Sequence, residues 1–148
     1  MDRLRFGTAG IPVSTEPRNT IEGIKQVKKL GLGSRELEFV QSVNISEEKA
    51  PFVKEAAKEN DIVLTCHGQY YINLNSNDPL KLKASIERIL KAGKTAYLCG
   101  GWSVCFHAAY YLGSPEKAFE SVKLGLQEVA KKLKDEGIKI WIRPETGG

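Results

Sequence analysis

Apolar positions in this chain recur with two periods, and the changes between them mark five strands and four helices. Leu4 to Ala9 reads as a short strand that opens into Gly10-Ile11-Pro12. Asn19-Thr20-Ile21-Glu22 has capping-box spacing, with Asn19 as the cap and Glu22 reaching back to it. Ile21, Ile24, Val27 and Leu30 then form a helical stripe that Gly31 ends. Arg35 to Val40 reads as the second strand. A helix is expected from Ser46-Glu47-Glu48, with Phe52, Val53, Ala56 and Ala57 on its apolar side and Pro51 near its first turn.

The run Ile62-Val63-Leu64 is that of a fully buried strand and continues to His67. Asp78-Pro79 is a cap followed by proline at the first helical position, where its missing N–H costs nothing. Leu82, Ile86, Ile89, Gly93 and Ala96 give the buried face of that helix. A fourth strand runs to His107. Ser114-Pro115-Glu116 repeats the cap and proline, and Phe119, Val122, Leu126, Val129 and Leu133 keep helical spacing until Gly137. Lys139 to Arg143 is the fifth strand, followed by Pro144-Glu145-Thr146-Gly147-Gly148.

The order βαβαβαβαβ implies right-handed crossovers and a parallel sheet. Two architectures fit it: an open doubly wound sheet, or part of a (β/α)₈ barrel, which needs about 250 residues when whole. Gly7-Thr8-Ala9-Gly10 is not followed by a helix start, so the first strand carries no dinucleotide fingerprint.

With 148 residues, 41% hydrophobic and 27% charged, the chain has the composition of one ordinary globular domain at most. No apolar run approaches the roughly 20 residues of a membrane helix, and Met1-Asp2-Arg3-Leu4-Arg5 does not resemble a secretory leader. Three cysteines form neither a disulfide framework nor a C-x-x-C zinc knuckle, so reduced thiols and a cytoplasmic location are expected. The net charge of +4 permits nucleic-acid binding without arguing for it.

Candidate chemistry sits at the carboxyl ends of the strands, where parallel α/β folds place their ligands. The two histidines of the chain, His67 and His107, end the third and fourth strands, and Glu145 follows the fifth. Two imidazoles and a carboxylate suit Zn²⁺, or else Mn²⁺ or Fe²⁺, and a three-ligand site leaves positions open. The same placement also suits hydrogen-bonded histidines and a turn-capping glutamate. Glu38 and Gln41 end the second strand, and Glu38 faces either a cavity or the helix layer. Tyr70-Tyr71 and Tyr110-Tyr111 by position alone suit loop packing. Cys66 and Cys105 read as packing residues, with nothing to activate a thiol.

Cys66-His67-Gly68-Gln69-Tyr70-Tyr71-Ile72-Asn73-Leu74, then Phe106-His107, then Pro144-Glu145-Thr146-Gly147-Gly148 resemble, in order and spacing, the first three metal-site motifs of the endonuclease IV family. These are zinc-dependent apurinic/apyrimidinic endonucleases among the xylose-isomerase-like barrels. The resemblance implies the N-terminal half of a (β/α)₈ TIM barrel, with residues 1–148 as a single incomplete domain. It implies up to three zincs in the whole family fold and one three-ligand site here. His67, His107 and Glu145 match the ligands of one zinc, and Glu145 matches the catalytic carboxylate that bridges to a second. Tyr70 matches a tyrosine on a DNA-contacting loop, and Gln69 and Tyr110 join it as candidate DNA- or substrate-binding residues. The implied reaction is hydrolysis of the phosphodiester 5′ to an abasic site in DNA repair, with abasic DNA as partner. The chain departs from the family pattern at Thr8-Ala9-Gly10, in the loop after the second strand, and at Ala108-Ala109. A divalent-metal sugar isomerase or epimerase on the same barrel is the alternative function. A non-catalytic half-barrel is a third. A chain of this length is expected to be inactive alone and to self-associate.

Overall fold

The computed structural model describes residues 3–146. Its elements are β1 (Gly7–Ala9), α1 (Thr20–Lys29), β2 (Ser34–Glu38), α2 (Ala50–Glu59), β3 (Val63–His67), α3 (Pro79–Leu98), β4 (Ser103–His107), α4 (Pro115–Asp135) and β5 (Trp141–Glu145). The strands pair in chain order, β1-β2-β3-β4-β5, every neighbour parallel. Five strands alternating with four helices make half of a TIM barrel, which the βα alternation allows and the resemblance at the strand ends implies. Gly147 and Gly148, part of the likeness at the fifth strand, lie outside the described residues. Among the described residues no helix is long and apolar enough to cross a membrane.

Period-2 alternation sorts each strand into two faces. Leu37, Leu64, Cys66, Val104 and Phe106 point to the helices and are buried. Against them pack Ile24 and Val27 of α1, Val53, Ala56 and Ala57 of α2, Ile86, Ile89 and Ala96 of α3, and Val129 and Leu133 of α4. The opposite, concave face carries Ser34, Glu36, Glu38, Thr65, His67, Cys105, His107, Trp141, Arg143 and Glu145.

Several boundaries differ from those the sequence predicts. β1 starts only at Gly7, because Arg5 turns aside: its guanidinium binds the Asp61 carboxylate (2.9 Å) and carbonyl (2.7 Å), while Leu4 and Phe6 stand in solvent. The Arg5 and Arg3 guanidinium groups hold the Asp61 carboxyl below its usual range. α2 starts at Ala50, not Ser46. The Ser46 hydroxyl caps only a preceding turn, accepting from Lys49 N (3.3 Å), and Pro51 lies in the first helical turn. In α1 the Asn19 side chain accepts from Glu22 N (2.9 Å), but the Glu22 carboxylate pairs with Lys25 (2.7 Å) instead of reaching back. Phe52 and Phe119, assigned to buried helix faces by period, are 67% exposed; Ala118 and Gly125 are buried in their stead on α4. β5 begins at Trp141 and includes Glu145, because β4 pairs with it as far as His107↔Glu145.

Gly7 is where β1 meets β2 most closely: a Cβ there would lie 1.9 Å from the Ser34 carbonyl oxygen. That neighbour is backbone and moves only with the strand. Gly7→Ala is therefore expected to destabilise the chain by about 1–3 kcal/mol, read as a lower urea midpoint at unchanged m-value.

Candidate metal centre

β3, β4 and β5 deliver three side chains to one point at the carboxyl edge of the sheet. Ligand atoms of His67, His107 and Glu145 all lie within 4.8 Å of one another. The strand ladder explains how. Glu145 is the register partner of His107, whereas His67 is opposite Cys105, two residues lower. The Glu145 side chain spans that offset, and its Oε2 lies 3.6 Å from His67 Nε2. Two ligands each about 2.1 Å from a tetrahedral ion sit about 3.4 Å apart. The His67–Glu145 spacing is close to that, and the His107 ligand atom lies within 4.8 Å of both.

The surroundings set each donor. His67 Nδ1 is 2.9 Å from the Gly68 carbonyl, which accepts only if Nδ1 carries the proton. With Nδ1 donating to that carbonyl, Nε2 is the ring nitrogen turned toward Glu145, the orientation a metal-ligating imidazole needs. The His67 and His107 rings are 5.4 Å apart at 55°, and the Tyr70 ring meets His107 edge-on at 6.0 Å. The Glu145 side chain is about half exposed, so its carboxylate remains open on the concave side. Cys105 Sγ donates weakly to Glu145 Oε2 at 3.9 Å. Burial, and then the Glu145 charge, push the Cys105 thiol up. Cys66 and Cys99 are buried thiols whose pKa values burial also raises, that of Cys99 to about 12. The sequence reading of inert cysteines fits these shifts, although Cys105 faces the site and not the core.

The loop residues separate. Tyr70 is 55% exposed beside His107, and its backbone N–H binds the Val40 carbonyl (2.9 Å). Gln69 turns away from the cluster and donates to the Gln41 carbonyl (3.1 Å), joining the loops after β2 and β3. Tyr110 is exposed, and its backbone is held between Asn73 Oδ1 (3.4 Å) and Asn75 Nδ2 (3.0 Å). Ile72 and Leu74 of the same stretch are buried, so Ile-Asn-Leu acts as a latch between the β3 and β4 loops. Gly68 lets that latch close: a Cβ there would lie 3.2 Å from Phe106 Cβ.

Glu36 and Arg143, beside the cluster, were not singled out by sequence. Glu36 lies on the concave face beneath Glu38 and within 3.5 Å of the Thr65 hydroxyl. Desolvation outweighs the nearby His67 and raises its carboxyl pKa. Arg143 is level with His67 and Cys105, its guanidinium 5.5 Å over the Trp102 ring. For Glu36 the signal was present in the alternation of Ser34-Arg35-Glu36-Leu37-Glu38, which puts both acids on one face, and Glu38 is the register partner of His67.

Known proteins share this fold. A Methanocaldococcus jannaschii protein, the uncharacterized MJ0133, is 39% identical over 146 residues, covering 98% of this chain and 52% of its own length. The chain thus spans about half of that curated relative. Solved structures also align over about half of their own lengths. The endonuclease IV of Thermus thermophilus superposes with TM-score 0.67 at 17% identity, over 95% of this chain and 52% of its own. L-ribulose 3-epimerase superposes at 0.73 with 11% identity, over 93% and 48%. D-psicose 3-epimerase from Clostridium cellulolyticum, solved with D-tagatose, superposes at 0.68 with 19% identity, over 91% and 51%. At these identities the superpositions speak for the fold alone. The sequence pattern of the xylose isomerase-like TIM barrel family matches residues 24–148, and the chain belongs to that family.

Proposed function

We propose that this chain carries the first metal-binding half of a divalent-metal phosphodiesterase of the endonuclease IV type, acting on abasic DNA. The observation that carries the reading is the convergence of two imidazoles and one carboxylate within 4.8 Å at the carboxyl ends of adjacent strands. His67, through Nε2, His107 and Glu145 would hold the ion. A nitrogen-rich set with one oxygen suits Zn²⁺ better than the all-oxygen sets preferred by Mg²⁺ or Ca²⁺, with Mn²⁺ or Fe²⁺ as the next candidates. When bound, such an ion lowers the pKa of water and stabilises charge on a phosphoryl oxygen. The chain's own residues supply the rest. The Gly68 carbonyl orients His67, and Cys105 donates weakly to Oε2 of Glu145, the oxygen that faces His67. Tyr70, and more distantly Tyr110, offer exposed rings beside the cluster against which a deoxyribose or base can pack.

One observation favours a second reading, a sugar epimerase or isomerase. Glu36, Glu38 and Arg143 line the concave face next to the cluster, where sugar hydroxyls would find acceptors and a donor. One pair of assays separates the two. The longest natural polypeptide containing this chain, loaded with Zn²⁺, is expected to incise a duplex bearing one abasic site and to lose that incision at least about 100-fold on Glu145→Gln. Ketose epimerisation without incision would overturn the phosphodiesterase reading in favour of the second.

A further inference from the structure

A cavity of about 240 Å³ opens between the β1–α1 and β2–α2 connections, beside but outside the metal centre. Arg35 enters it from the helix side of β2. Its side chain belongs to a residue only 3% exposed, yet it carries a full charge. Nε donates to the Gly10 carbonyl (3.1 Å) and Nη1 to the Thr20 carbonyl (2.6 Å), while Nη2 bonds none of the described residues. Among the described residues no carboxylate pairs with it. Burial lowers its pKa to about 10, with no acid to offset the desolvation. Buried guanidinium groups are ordinarily paired with an acid.

Two further features on that side of the cavity are positive. Arg18 lines the same space, Nη2 resting 3.5 Å from the Ile11 carbonyl. α1 begins at Thr20, so the positive end of its dipole faces the cavity. Gly23 in the first turn lets the guanidinium lie against the helix, since a Cβ there would meet Arg35 Nη1 at 2.8 Å. Glu38 is the one carboxylate on the wall, reaching it from the concave face of β2.

We propose that this cavity is a binding site for a phosphate group, with Arg35 Nη2 and Arg18 as its donors. Two guanidinium groups match the several acceptor oxygens of a phosphate. A protonated phosphate oxygen has an O–H to give Glu38, which a carboxylate ligand lacks. The volume falls below the 300–1,000 Å³ or so of a drug-sized pocket, which fits a phosphate with few attached atoms. Glu38 joins the cavity to the metal centre, because it is also the register partner of His67. A ligand anchored here by its phosphate would extend toward that centre, but the anion site itself does not depend on the metal reading.

Calorimetric titration of the 148-residue chain with inorganic phosphate at low ionic strength tests this. Saturable one-to-one binding in the millimolar range is expected, weakening as salt is added. Arg18→Ala, at an exposed position, weakens it about tenfold. Arg35→Lys, which keeps the charge and loses the fork, does the same, with near-UV dichroism confirming the fold of both variants. His107→Ala leaves phosphate affinity within about twofold. Absence of saturation up to about 50 mM phosphate, equal affinity in Arg18→Ala, or loss of binding in His107→Ala would each overturn the site.

Discussion

His107→Ala is expected to reduce zinc affinity at least about 100-fold, and His67→Ala to do the same. Losing a hydrogen-bond partner one shell out from a metal ligand already costs about 10- to 100-fold. Removing one of three direct ligands costs at least the upper end of that range, or about 2.7 kcal/mol. A local replacement is costly. Cys105 Sγ lies 3.9 Å from Glu145 Oε2, but burial and the Glu145 charge push its thiol up, so ligation there must first displace a proton. Glu36 lies a layer below and has its own carboxyl pKa raised by desolvation. Glu145→Gln keeps an oxygen in place but removes its charge, so it is expected to fall between wild type and His107→Ala. Calorimetry with Zn²⁺ decides it. Zinc affinity unchanged in both histidine variants would mean that the three side chains meet for structural reasons alone. Retention of the near-UV spectrum rules out unfolding as the cause, since both rings sit on the concave face and not in the core.

What the sequence made legible here follows from where physical constraints are local. Strand ends are local: the hydrophobic run 62–64, the caps at Asp78 and Ser114 and the helix-ending glycines Gly31 and Gly137 bound the βα units. That was enough to put His67, His107 and Glu145 at the same edge. The stagger was not legible. His67 is two residues below its apparent equivalent because register is set by pairing across strands, and a shift between β3 and β4 leaves no mark in either sequence. Arg35 was read as an ordinary strand residue for a similar reason. A charge at an alternating position suggests the polar face, and only the fold puts it among helices with backbone carbonyls as partners. Phe52 and Phe119 failed in the opposite sense. Their spacing fits the buried stripe, but small residues, Ala56, Ala57, Ala118 and Gly125, take the close contacts between layers and leave the rings outside.

The last expectation concerns the 148-residue chain on its own: at micromolar concentration it should associate, and it should not turn over abasic DNA. The described sheet has two open edges, β1 and β5. Parallel strands are normally buried on both faces, and an open edge is a row of unpaired backbone groups. The two edges differ. β1 is three residues long and offers little to pair with. β5 has five, but Pro144 lacks an N–H and blunts the ladder. Edge pairing is therefore the weaker force. The stronger lies at the amino end of β5, where Trp141 is 65% exposed and its ring sits 6.4 Å from Trp102, itself 40% exposed, with Arg143 over the latter. Burying two indoles against a second copy removes large apolar area from water, the kind of anchor that dominates interfaces. Sedimentation equilibrium should report a dimer or larger species, and Trp141→Glu should shift it toward monomer by tenfold or so in dissociation constant. A folded, clean monomer of the unaltered chain would show that the open face is adequately solvated. The absence of turnover has the same origin. Among the described residues there is one three-ligand cluster on an open concave face, with no second ligand set beside it and no wall that excludes water. Zinc-dependent incision of an abasic duplex by this chain alone, abolished by Glu145→Gln, would defeat that expectation while strengthening the phosphodiesterase reading.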